Sequence, residues 1–258
     1  MGTNRLGPLP RTKPWKRLVG AFAAGAGAAQ VAQDALEAAS RRLALAAGDA
    51  VLVEAVRLLM LLPIAASGDD FAGALRGVGV DAPDGPGFCD VLAAVSERLD
   101  GVTPGARGRT DVGEMAQAAL IETLSETVGG SLASLFDTDP EDVRRAFARQ
   151  RTPDRFGALA GGFFGKFTAK CLDYFLSREL PAHVGPGRRL PALADYAEFT
   201  QDLKAHCREA AKVVEAFAGV WHSREAFRNA GEIDPGRAKA FVVGALAKVT
   251  AELKRGAR

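Results

Sequence analysis

FGALAGGFFGKFTAKCLDYFLSRELPAHV, residues 156–184, contains three glycines spaced by four residues: Gly157, Gly161 and Gly165. Residues at this spacing share one face of an α-helix, so the glycines predict a groove that a second helix backbone can approach closely. Larger apolar residues follow at helical spacing and predict a core stripe, formed by Phe164, Phe167, Cys171 and Phe175. The segment therefore predicts a long packed helix that ends before Pro181.

Helix-start signals lie on both sides of this segment. A capping residue followed by proline in the first helical turn occurs in Asp139-Pro140, Thr152-Pro153 and Asp234-Pro235. This combination is typical of helix N-termini. A further long helix is predicted over residues 193–218, and we interpret Trp221-His222-Ser223 as the connection after it.

Helical signals also dominate the first hundred residues. Alanine and leucine recur at helical spacing over residues 28–47, where Gly48 stops the helix and Asp49 caps the next one. That next helix is expected to end near Leu62, before Pro63. No segment shows the clear alternation of apolar and polar residues that is typical of a half-buried strand. We predict an all-α fold, a multi-helix bundle-like architecture with long C-terminal helices.

Proline- and glycine-rich segments suggest how the chain is divided. Residues 1–14 combine three prolines with basic residues and no acid, and they predict a flexible arm. Residues 100–110 are predicted to form a loop, which separates an alanine-rich helical unit (15–100) from a helical bundle unit (110–258). One continuous domain is the alternative to these two units.

The composition is that of an ordinary globular protein. The 258 residues are 48% hydrophobic and 25% charged, and the net charge of +2 is too small to indicate nucleic acid by itself. Three widely separated cysteines predict free thiols in a reducing compartment. No apolar run reaches the roughly 20 residues of a membrane span. We expect a cytoplasmic protein, and the richness in alanine, glycine and arginine is typical of GC-rich bacterial coding.

No motif in the chain identifies a reaction. The glycine-rich segments at 25–30 and 161–168 lack the residues that complete a dinucleotide-binding or phosphate-binding loop. Glu198, Asp202 and His206 follow four-residue spacing on one helix. A di-metal bundle needs Glu-x-x-His pairs on two helices, and the sequence contains no such pair. We therefore predict no catalytic residue, no cofactor and no metal.

The glycine groove is open to two interpretations in a soluble protein: it packs another helix of the same bundle, or it receives a partner. A membrane-spanning glycine zipper is disfavoured, because Lys166, Lys170 and Asp173 follow closely and charges inside a span are costly. Phe163 and Tyr174 lie off the core stripe and are expected to be exposed. The predicted partner-packing residues are Gly157, Gly161, Gly165, Phe163 and Tyr174.

Two basic segments predict a phosphate-contacting surface. One lies on the helix that Pro140 opens, and the other lies in the loop after residue 184. A solvated basic face, balanced by acids elsewhere, explains the same pattern without a ligand. The predicted phosphate-contacting residues are Arg144, Arg145, Arg149, Arg188 and Arg189.

The leading hypothesis is a non-enzymatic all-helical subunit of a bacterial multi-protein assembly, which acts through helix-packing surfaces. One alternative is a nucleic-acid-binding subunit that uses the basic segments. The other is a peripheral membrane protein that uses the basic N-terminus and the apolar run at 18–29. Other protein subunits are the expected partners, nucleic acid and self-association stay open, and a membrane is the least expected partner.

Overall fold

The computed structural model describes residues 12–102, 110–136, 138–228 and 233–255. These residues form ten α-helices and no β-strand beyond one isolated bridge, so the predicted all-α fold is confirmed. The helices are α1 (Lys13–Ala23), α2 (Ala28–Ala46), α3 (Ala50–Ala65), α4 (Phe71–Gly77), α5 (Phe88–Gly101), α6 (Asp111–Thr127), α7 (Pro140–Ala148), α8 (Pro153–Leu176), α9 (Leu193–Arg228) and α10 (Pro235–Arg255).

Side-chain caps explain where several helices begin. The Asp49 carboxylate accepts hydrogen bonds from the Val51 and Leu52 amides at 3.0 and 3.1 Å. The Thr110 hydroxyl accepts from the Gly113 amide at 2.8 Å and donates to Asp49 at 2.7 Å. Each cap satisfies amides that the first helical turn leaves without a partner. The Thr110–Asp49 bond also ties the start of α6 to the start of α3.

Tertiary packing moves several predicted helix ends. Helix α3 continues through Pro63 to Ala65, and α8 ends at Leu176, before the expected boundary near residue 180. Helix α9 runs to Arg228, so the interpretation of Trp221-His222-Ser223 as a connection is wrong. These residues stay helical because Trp221 packs on Phe241, with ring centroids 4.9 Å apart, and His222 is buried.

One cluster of buried apolar side chains draws on all the helices from α1 to α10. Both predicted units therefore contribute to the same core, while most of their predicted boundary, residues 103–109, lies outside the described residues. Helix α8 packs against α2, α3, α6, α9 and α10 and occupies the middle of the bundle.

The N-terminal apolar run also belongs to this core. Helix α1 begins at Lys13, inside the segment predicted to be a flexible arm, while residues 1–11 lie outside the described residues. Leu18 is 1% exposed, and Phe22 packs edge-on against Phe199 with ring centroids 5.2 Å apart. The large apolar side chains of the 18–29 run therefore face the protein interior.

A buried charge cluster joins α3 to α5. The carboxylate of Glu54 accepts hydrogen bonds from the guanidinium groups of Arg57, at 2.8 and 2.9 Å, and of Arg98, at 2.9 Å. Burial by itself raises the pKa of Glu54, but the two arginines outweigh burial and hold this pKa below its usual value. Since both guanidinium groups bind this one carboxylate, the cluster is a structural contact.

Candidate functional site

The glycine groove of α8 is filled by α9 of the same chain. A Cβ atom added at Gly157 would lie 2.6 Å from the backbone oxygen of Glu215, and one at Gly165 would lie 3.2 Å from the Cα of Arg208. Gly219 on α9 makes a similar close contact with α8, since a Cβ added there would lie 2.9 Å from the Pro153 oxygen. The two helices therefore cross closely and antiparallel. The prediction that Gly157, Gly161 and Gly165 pack a partner is corrected to packing within the chain.

The two aromatic residues predicted beside this groove are also engaged inside the chain. Phe163 is fully buried and packs against Phe164 and Phe167, so its predicted exposure is wrong. The reason is the central position of α8, because a helix surrounded by other helices buries more than one face. Tyr174 is half-buried, and its hydroxyl donates to Asp111 at 2.6 Å.

The arginines of α7 are neutralised by acids of their own helix. Arg144 donates two hydrogen bonds of 2.7 Å to Glu141 and another, of 3.0 Å, to the Ala66 oxygen. The hydrogen bonding of Arg144 to Glu141 is the main reason that the pKa of Glu141 falls to about 2. Arg145 pairs with Glu141 at 2.9 Å and with Asp142 at 3.6 Å. This pattern favours the interpretation of a solvated, internally balanced face.

The two basic segments do not meet in one surface. Arg149 lies four residues before the start of α8, whereas Arg188 and Arg189 lie in the loop that follows its other end. The 24 residues of α8 span about 35 Å at 1.5 Å per residue. Arg189 is instead held near α1, where it donates to the Gly25 oxygen at 3.4 Å. The predicted five-arginine phosphate surface is therefore divided between the two ends of α8.

Helix α10 presents a stripe of small apolar residues to solvent. Ala240, Val243, Ala247 and Ala251 are exposed, and their spacing of three and four residues places them on one helix face. Val243 is the largest of the four side chains and is 50% exposed. The opposite face of α10 supplies Ala238, Phe241 and other residues to the core.

The exposed stripe continues onto α9. Val220 is 64% exposed, and Phe217 and Trp221 are half-buried beside it. Phe217 stacks on Phe241 with centroids 5.2 Å apart, and its ring would lie 3.0 Å from a Cβ added at Gly244. Because Gly244 has no side chain, the Phe217 ring of α9 packs directly on α10, and the two helices share one surface. We call this surface the docking face and define it by Phe217, Val220, Trp221, Ala240, Val243, Ala247 and Ala251.

Basic residues surround the docking face. Helix α10 carries five basic residues and one acid. Arg237 pairs with Asp234, the residue just before the helix, at 3.3 Å, and Arg255 pairs with Glu252 of the helix at 3.2 Å. The other three are exposed, and none forms an ion pair with a carboxylate in the described part of the chain. They are Lys239, Lys248 and Lys254.

Sequence reasoning missed the docking face. Its residues are alanines, valines and aromatics at helical spacing, and the same spacing serves the core of a bundle equally well. The one available signal was the series of lysines interleaved with the stripe, because lysine is seldom placed on a buried face.

No family model, no curated protein and no solved structure matches this chain. Among the described residues, no helix has the length and apolar character to cross a membrane. The described ranges also contain no group of three or more His, Cys, Asp or Glu side chains placed to hold a metal ion.

Proposed function

We propose that the protein is a non-enzymatic subunit of a multi-protein assembly and that its docking face binds an amphipathic helix of a partner protein. The observation that carries this proposal is the set of exposed small and apolar side chains on α10 and on the adjacent part of α9, which Phe217 and Trp221 connect. Apolar area removed from water contributes roughly 25 cal/mol per Å², so covering this stripe favours binding. Helices that lie in shallow apolar grooves are a recurring mode of peptide recognition.

The size of the exposed side chains favours a helix as the occupant. Alanine at 240, 247 and 251 leaves no side chain long enough to hold another backbone away. Small residues on a helix face permit a short distance between helix axes. The contact between α8 and α9 shows that this chain already uses small residues in that way.

The charges around the docking face favour a partner helix with acidic flanks. Lys239, Lys248 and Lys254 border the stripe without acidic partners among the described residues. Complementary charges accelerate association and fix the orientation of the two surfaces. The affinity for the partner should consequently fall as the salt concentration rises.

Two observations favour a protein partner over an anionic membrane. Membrane-surface helices typically insert Trp, Phe or Leu side chains. The exposed members of the docking face are only alanines and valines, because Phe217 and Trp221 are half-buried against α10. The apolar N-terminal run offers no other surface of this kind, since Leu18 and Phe22 are buried.

The test is to purify the tagged full chain from the organism that encodes it and to measure its mass by native mass spectrometry. We expect a stoichiometric complex with a protein that contains an amphipathic helix with acidic flanks. The double substitution Val220→Asp and Val243→Asp should remove this partner. A synthetic peptide of the partner helix should bind the wild-type protein and not the double variant.

Leu193→Asp is the matched control. Leu193 is 76% exposed and lies at the start of α9, about 40 Å along the helix from Val220. It tests the loss of an exposed apolar side chain outside the docking face, and the complex should survive it. A monomer from the native source, a complex that survives the double substitution, or binding to anionic vesicles that the double substitution abolishes would each overturn the proposal.

A further inference from the structure

A charged cleft lies between α6, α8 and α9, on another part of the molecule. Its volume is about 490 Å³, within the range of small-molecule sites. Gly165 and Ala169 on α8 form its floor. The remaining lining residues are polar or charged: Glu122, Glu126, Lys166, Lys170, Asp173, Gln201, Lys204 and Arg208.

The two lysines of α8 are compensated inside the cleft. Lys166 pairs with Glu126 at 2.7 Å, and Lys170 pairs with Glu122 at 2.6 Å. The lysines lie one helical turn apart and would repel each other without these acids. The fold has thus placed one glutamate of α6 opposite each lysine, and the charges of this wall cancel.

The α9 side of the cleft carries two cations at the same spacing as the lysines of α8, but no acid among the described residues pairs with them. Lys204 and Arg208 also lie one turn apart, and both line the cleft. Neither forms an ion pair with a carboxylate of the described residues. The backbone of Arg208 is held at the floor, because its Cα would lie only 3.2 Å from a Cβ at Gly165. Two like charges at this spacing are unfavourable unless an anion lies between them.

We propose that this cleft binds a small phosphate-bearing molecule, with the phosphoryl group on Lys204 and Arg208. A guanidinium group binds phosphate oxygens through paired hydrogen bonds, and an ammonium group adds a point charge beside it. Asp173 is the remaining acid of the cleft and is positioned to accept a hydrogen bond from a hydroxyl or amino group of the same ligand. The glutamates of α6 stay paired with the lysines of α8. This site is independent of the docking face.

The probe is inorganic pyrophosphate, titrated into the full chain and followed by calorimetry and by amide chemical shifts. We expect saturable one-to-one binding, with shifts concentrated in α9 near residues 201–208 and in α8 near residues 165–173. The double substitution Lys204→Gln and Arg208→Gln should weaken binding by about tenfold or more, because it removes two charge-assisted contacts. Both side chains are exposed, so the variant should keep its fold.

Lys212→Gln is the control for a general loss of positive charge. Lys212 lies on the same helix outside the cleft and pairs with Glu209 at 2.6 Å. Its substitution should leave pyrophosphate binding unchanged. Absence of binding at millimolar pyrophosphate, binding that survives the double substitution, or an equal loss in the control would overturn the assignment.

A short single-stranded oligonucleotide distinguishes the two sources of a phosphate group. We expect it to compete poorly, because the lysines of α8 stay paired with the α6 glutamates and only Lys204 and Arg208 are left to contact a continuous phosphate backbone. Tighter binding of the oligonucleotide than of pyrophosphate would overturn the assignment to a small ligand.

Discussion

Helices α8 and α10 each carry a face of small residues, glycines on α8 and mostly alanines on α10, and the two faces have different surroundings. On α8, Gly157 and Gly165 lie so close to α9 that an added Cβ would fall 2.6 to 3.2 Å from its backbone. On α10, Ala240 and Ala247 are exposed. Small residues at helical spacing thus indicate where a helix can be approached closely. They do not indicate whether the approaching helix belongs to the same chain.

The arrangement of the bundle accounts for this difference. Helix α8 lies among five other helices, and α9 returns antiparallel along its glycine face. Helix α10 packs against α2, α3, α8 and α9 with its inward side. The outward stripe of α10 faces no other helix of the described residues.

The largest expected effect comes from filling the covered face. Gly157→Leu should lower the free energy of unfolding by about 3 kcal/mol, because the new side chain overlaps the backbone of Glu215 and forces α8 and α9 apart. Urea unfolding followed by circular dichroism measures this loss.

Gly162→Ala is the control on the same helix. A Cβ at Gly162 would meet only the Thr123 methyl group, at an ordinary 3.5 Å. Alanine is favoured over glycine inside a helix by about 1 kcal/mol, so this variant should be slightly more stable than the wild type. A Gly157→Leu protein as stable as the wild type would show that α9 does not cover the glycine face.

A smaller effect is expected from pH at the same interface. His222 on α9 is 3% exposed and stacks on Phe156 of α8, with ring centroids 4.3 Å apart. Burial, with a further contribution from Arg151, lowers the pKa of His222 below its ordinary value. The unfolded chain therefore binds a proton near pH 6.5 while the folded protein does not. His222 thus contributes full stability above about pH 6.5, and this contribution is lost as the pH falls towards the folded pKa.

Urea unfolding of the wild type and of His222→Phe, at about pH 7.5 and about pH 5.5, isolates this contribution. Phenylalanine keeps a ring against Phe156 and cannot be protonated. The wild type should lose more stability than the variant between the two pH values. Equal losses would contradict a neutral, buried His222 in the α8–α9 contact.

The smallest effect on stability is expected at the uncovered face. Ala247→Leu should change the free energy of unfolding by less than about 0.5 kcal/mol, since the new side chain extends into solvent. The same substitution should weaken partner binding, because it holds a docking helix away from α10. A stability loss as large as that of Gly157→Leu would show that part of the chain already covers this stripe.

Local signals predicted much of the helix order. The caps at Asp49, Asp139 and Asp234 function as expected, since each carboxylate accepts a hydrogen bond from an amide that follows it. Capping acts between neighbours in the chain, and a sequence displays it directly. Helix ends depend more on tertiary contacts, which explains why α9 continues through Trp221 to Arg228.

The candidate sites were harder to predict because they depend on which helices meet. The pairing of Lys166 with Glu126 joins two helices, and no sequence pattern within α8 indicates this pairing. Phe163 was expected to be exposed because the sequence defines one core stripe, whereas α8 is surrounded by other helices. Spacing within one helix predicts a face, and only the fold determines what covers that face.

The central claim is that the outward stripe of α10 binds a helix from another protein. Site-specific photocrosslinking tests it directly, with benzoylphenylalanine placed at position 243 or, as the control, at position 193 in cells of the encoding organism. Val243 and Leu193 are both exposed, at 50% and 76%. We predict one discrete cross-linked protein from position 243 and none from position 193, with the link in an amphipathic helix that has acidic flanks. No cross-link at position 243, or the same products from both positions, would contradict the claim.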